Sequence, residues 1–169
     1  MGEDTRWLRA VVVRGLGPNH PDVGRSHANT GRVLLARREL DPALEHFEQG
    51  LAIFEATFGR RHRVSARVLD SIGRVHRERG EHQLALDHFA QALDIQRELL
   101  GDNHPETAQT LLDIGLLQIA TGELDAARAS VESAAAGFTA GLGVGHAYES
   151  AIADAFAQLC ASGHGPACR

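Results

Sequence analysis

The sequence contains no lysine; all 17 of its basic residues are arginine. That absence excludes Schiff-base catalysis and the lysine-bearing phosphate loop of nucleotide-binding folds. Cysteine is almost as scarce: Cys160 and Cys168 both fall in the last ten residues, so no disulfide framework spans the chain and the fold must hold by packing. Apolar runs extend only a few residues, too short for a membrane span, and no charged segment followed by an apolar one opens the chain as in a secretory leader. A cytoplasmic location without membrane contact is therefore expected. No His-Glu-x-x-His pattern, glycine-rich phosphate loop or nucleophile elbow is present. The expectation is a non-enzymatic chain with no cofactor and no bound metal.

What remains is 169 residues, 43% of them hydrophobic, enough for one core or one short repeat array. The net charge of −5 is unevenly distributed. Residues 1–80 carry 14 arginines against 10 acids, whereas residues 81–169 carry three against 12. An acidic total argues against general nucleic-acid binding, which draws on a broad basic surface.

Internal repetition decides the architecture. His20, His62, His104 and His146 are each 42 residues apart, inside the related segments Leu16-Gly17-Pro18-Asn19-His20, Phe58-Gly59-Arg60-Arg61-His62, Leu100-Gly101-Asp102-Asn103-His104 and Leu142-Gly143-Val144-Gly145-His146. The same offset aligns Gly31, Gly73 and Gly115, then Ala43, Ala85 and Ala127, then Phe47, Phe89 and Val131. Within each period two blocks of apolar residues recur at helical spacing, so each repeat reads as a helical hairpin. The predicted helices cover 22–37, 42–57, 64–79, 83–99, 106–121, 125–140 and 147–161, with a further leading helix over 4–14. Asp41-Pro42 is expected to cap and start the second helix of the first hairpin, and Asp102, Asn103 and Pro105 to start a later one. Gly31, Gly73 and Gly115 let paired helices approach while Phe47 and Phe89 fill the space beside them. His76 and Gln118 stand where Leu34 stands in the first repeat, and Val131, Ala134, Ala135 and Ala136 replace bulkier neighbours, which predicts looser packing late in the array.

With these columns the sequence resembles the tetratricopeptide repeat family, and the 42-residue period with its Leu-Gly-x-x-His-Pro connection resembles the longer repeat of kinesin light chains. The resemblance covers about residues 16–160. It implies an all-α superhelix of stacked hairpins, divided into a partial leading helix or cap (1–15), an array (16–161, with repeats at about 16–57, 58–99 and 100–141 and a capping helix at 147–161) and a flexible tail (162–169). It also implies a concave face lined by the first helix of each hairpin, where related domains hold extended peptides.

On those first helices the register makes ladders: Arg25 beside Arg67 and Gln109, Asn29 beside Ser71 and Asp113, Arg32 beside Arg74 and Leu116, with Arg77 three residues beyond; the polar members of these ladders together with Asp70 are the candidate ligand-binding residues. Converging guanidinium groups repel one another unless an anion arrives, and each can grip a carboxylate or phosphate with two hydrogen bonds. The expected partner is an acidic or phosphorylated protein segment. A competing reading pairs these arginines with Asp22, Asp70 and Glu78 as an ordinary solvated face. A second functional reading is self-assembly into a homodimer or larger oligomer through the apolar N-terminal residues Trp7, Leu8 and Val11. The four register-related histidines are too far apart to share a metal and are each expected to help cap or order their turns. For the tail, a metal site, a local disulfide and a buried Cys160 thiol are all open, with the buried thiol favoured.

Overall fold

The computed structural model describes residues 17–163. The leading helix expected over 4–14, with Trp7, Leu8 and Val11, lies outside that range, as do His164 and Cys168. The described residues form seven α-helices: α1 (Pro21–Ala36), α2 (Leu40–Phe58), α3 (Arg63–Glu78), α4 (His82–Leu100), α5 (Pro105–Thr121), α6 (Leu124–Leu142) and α7 (Glu149–Ala161). No strand occurs among them. The helices pair as hairpins α1–α2, α3–α4 and α5–α6; each hairpin stacks on the next, and α7 packs on α5 and α6. First helices also touch along the stack, α1 against α3 and α3 against α5.

Each first helix begins the same way. The Nδ1 atoms of His20, His62 and His104 accept from the backbone N–H of Asp22, Val64 and Glu106 at 3.2, 3.3 and 3.1 Å. His146 does the same for Tyr148 at 3.2 Å. The imidazole thus satisfies one of the backbone donors that a helix start leaves unpaired. This corrects the expected start of α5, where His104 is the cap and Pro105 the first helical residue. In the first hairpin, too, Glu39 precedes α2, and Asp41 and Pro42 lie inside it. The turn before α2 is made by Arg38 at φ 62, where the later repeats have Gly80 and Gly122. Each second helix ends in glycine, and Gly59, Gly101 and Gly143 adopt φ 79 to 85 with ψ near 180°, a region that side chains do not enter.

Close approach within the hairpins has a measurable form. A Cβ built on Gly31 would lie 2.8 Å from the Phe47 ring, one on Gly73 2.7 Å from Phe89, and one on Gly115 2.8 Å from Val131. All three opposing side chains are fully buried. The third hairpin is therefore as close as the others, contrary to the looser packing expected there: Val131, Ala134 and Phe138 are fully buried. The polar replacements in the Leu34 column find partners. His76 stacks on His88 with ring centroids 5.2 Å apart and bonds Glu81 at 2.5 Å, while Gln118 accepts from Ser130 Oγ at 2.8 Å. Cys160 is disulfide-bonded, so the favoured buried-thiol reading is wrong.

Candidate peptide-binding groove

First helices that neighbour one another along the stack present their solvent-side residues to one concavity of about 600 Å³. Arg25, Asn29 and Arg32 of α1, Arg67, Asp70, Ser71 and Arg74 of α3, and Gln109 of α5 line it. Its apolar wall comes from Phe47, Phe54 and Phe58 of α2 with Val64 and Val68 of α3. The stripe of first-helix residues picked out by the register is thus brought together, with two exceptions.

Those exceptions are Arg77 and Asp113, which face each other away from the concavity. Asp113 is buried to 4% exposure and accepts from Arg77 at 2.6 Å, Arg74 at 2.8 Å and Gln109 at 3.1 Å. Asp70 pairs with Arg74 at 3.0 Å and accepts from the Thr110 hydroxyl at 3.1 Å. Two arginines of α3 and two acids, one on each side, thereby stitch α3 to α5. Burial pushes the Asp70 carboxyl up to about 6 and the nearby Asp113 charge adds to the rise, while Arg74, the Thr110 hydroxyl and Arg77 oppose it. For Arg74, burial works against its charge, but Asp70 and Asp113 outweigh it and raise its pKa above the ordinary arginine value. The third rung of the Asn29–Ser71 ladder is lost because Asp113 is drawn inward by these guanidinium groups.

The rim arginines are held differently. Arg25 pairs with Asp22 one turn earlier in α1. Arg32 donates to the neutral Asn29 side chain at 2.5 Å and meets no carboxylate among the described residues. Arg67 lies 3.9 Å from Glu106, whose two oxygens already accept from Arg63 at 3.1 and 2.9 Å. Arg25 and Arg67 leave half or more of their side-chain surface in solvent, and Arg32 is likewise exposed.

One lining residue escaped the sequence reading. Gln96 of α4 is 2% exposed, and its Oε1 meets no hydrogen-bond partner among the described residues. The signal was available in the 42-residue register, which places Gln96 in one column with Phe54 and Phe138.

Hairpins of this length, stacked so that first helices share a concave face, define a helical-repeat protein. The tetratricopeptide repeat model matches residues 43–97 and 64–140, more than half of the sequence, and the chain belongs to that family. Repeats of this family generally mediate protein–protein interaction. No curated protein matches the sequence. Among solved structures the chain is similar to BtubC (BKLC) from P. vanneervenii, with TM-score 0.74 and 19% identity over 84% of this chain. It spans 56% of the length of that protein. It is also similar to a protein from Podosopora anserina described as a kinesin light chain with nearly identical TPR-like repeats, with TM-score 0.71 and 20% identity over 95% of this chain and 74% of the other. A point variant of that protein aligns with TM-score 0.72. At these identities the likeness concerns the fold. No described helix is long and apolar enough to cross a membrane.

Proposed function

We propose that this chain is a non-enzymatic interaction module, acting in the cytoplasm, that holds an extended acidic or phosphorylated peptide segment across its concave face. The observation that carries this reading is the state of Arg32 and Arg67: two exposed guanidinium groups on the lining of one concavity, one held by a neutral amide and the other 3.9 Å from a carboxylate that Arg63 already occupies. An acidic side chain or a phosphate supplies the bidentate partner that each lacks. Arg25 adds a third contact when a ligand competes with Asp22. Asn29, Ser71 and Gln109 run between the arginines and suit the backbone amides of an extended segment. Arg74 and Arg77 contribute indirectly, by fixing α3 against α5 so that the rim arginines keep their spacing.

The test is fluorescence anisotropy with a labelled library of Ser/Glu dodecapeptides, read with wild type and with R32A/R67A. Hydrogen bonds to charged groups contribute roughly 1.5–3 kcal/mol each, so the double variant should bind at least tenfold more weakly while keeping its circular dichroism and melting temperature. Affinity should also fall as salt rises. Equal affinity in wild type and R32A/R67A for every binding peptide would refute the groove.

A further inference from the structure

Gln96 is the polar residue of an aromatic column. In the first and third repeats the same register position holds Phe54 and Phe138, both buried and both packed as core. In the middle repeat the position is just as buried but carries an amide whose oxygen is unpaired. An unpaired buried acceptor is costly, and native proteins rarely keep one without a use. Leaving phenylalanine there would have removed the problem, since the column is otherwise a packing position.

The surroundings say what kind of group the amide suits. Gln96 lines the same concavity as the apolar Phe54, Val64, Val68 and Pro105 and as Arg74, whose Nε is likewise buried without a hydrogen-bond partner among the described residues. Asp70 and Thr110 also line that concavity, but they are committed to each other and to Arg74. Arg25, Arg32 and Arg67 line the same concavity, and its acids Asp22 and Glu106 are already paired with Arg25 and Arg63, so a lysine or arginine side chain is disfavoured there. Carboxylates and phosphates are drawn to those arginines and gain nothing from an amide oxygen. A neutral donor is left. A primary carboxamide fits best, because its NH2 donates to Gln96 Oε1 while its own oxygen accepts from the Gln96 amide nitrogen, a reciprocal pair that a hydroxyl cannot complete.

We propose that Gln96 is a specificity-determining residue of the groove, and that it selects a bound segment carrying an asparagine or glutamine side chain beside its acidic residues. This rests on the peptide-groove reading. It adds a neutral, directional contact to an electrostatic one, and so discriminates among acidic segments that the arginines alone would treat alike.

The experiment uses the same labelled Ser/Glu dodecapeptides with one position varied in turn to Asn, Gln, Leu, Ser and Asp, bound to the whole chain and to Q96L. Wild type should prefer Asn or Gln at one position about tenfold over Leu. Q96L, which keeps a side chain of similar size without polar atoms, should reverse or abolish that preference while losing little affinity for the parent peptide. Removal of a buried unpaired acceptor should leave the melting temperature of Q96L equal to or above that of wild type, so the comparison is made between folded proteins. A position preference identical in wild type and Q96L, or no carboxamide preference at any position, would overturn the proposal while leaving the groove intact if R32A/R67A still weakens binding. Failure of every peptide to bind wild type would overturn both.

Discussion

Replacing Gly73 by alanine puts the hairpin geometry to a quantitative test. The new methyl carbon would sit 2.7 Å from two carbons of the Phe89 ring, closer than any relaxed contact allows. Phe89 is fully buried between Ala85 and Leu93 on its own helix and the core around it, so the ring has no solvent into which to swing. Overpacking of this kind costs about 1–3 kcal/mol. Alanine, however, favours an interior helical position over glycine by about 1 kcal/mol. The clash prevails in this balance, leaving a net loss of about 1 kcal/mol or somewhat more, or roughly 2–6 °C in melting temperature for a chain of this size. The assay is thermal and urea unfolding of wild type, G73A, F89L and G73A/F89L. Leucine removes the ring atoms that meet the new methyl group, so the double variant should be more stable than the two single losses predict, by a coupling of about 1 kcal/mol. A G73A protein more stable than wild type, or fully additive losses, would show that the glycine column reflects something other than helix approach.

Two further predictions concern the charged cluster between α3 and α5. Asp113→Ala removes the carboxylate that Arg74 and Arg77 share, leaving them only Asp70 and Glu78; both arginines are about a third exposed, and the full 3–5 kcal/mol cost of breaking a buried pair is reduced by that exposure and the remaining partners to about 2 kcal/mol, measurable as a lower urea midpoint with an unchanged slope. Asp70 takes up its proton near pH 6 in the folded chain, against 3.8 for an ordinary aspartate. The folded state therefore binds more protons than the unfolded state between those values, and this carboxyl's contribution to stability falls as pH rises from about 4 to about 7. Relative to wild type, D70N should lose that part of the pH dependence; parallel stability curves for the two proteins over this range would contradict the assignment.

Much of the fold was legible because repetition makes weak signals mutually supporting. Gly31, Gly73 and Gly115 would each be an ambiguous residue alone, but their common offset from Phe47, Phe89 and Val131 turned them into a statement about helix approach. The histidine column was equally readable, since one residue type recurring at every inter-repeat turn points to a local backbone role. What the register could not show was competition among side chains from different helices. Asp113 occupies a ladder position on α5, yet two guanidinium groups from α3 turn it inward, and that outcome depends on reach and desolvation across 36 positions of sequence. Periodicity also misplaced the starts of α2 and α5: Asp41 and Pro42 suit a cap as well as a first turn, yet Glu39 already precedes α2, while the cap of α5 is His104, after Asp102 and Asn103. Gln96 was in plain view in a phenylalanine column, but its meaning comes from its burial and its unpaired oxygen.

The most direct test of the central claim is to map the backbone amide resonances of the whole chain by two-dimensional NMR as an acidic Ser/Glu dodecapeptide is added. Occupancy of the concave face predicts shifts concentrated on α1, α3 and α5 around Asn29, Arg32, Arg67, Ser71 and Gln109, suppressed in R32A/R67A. Shifts confined to the outward faces of α2, α4 and α6 would contradict it.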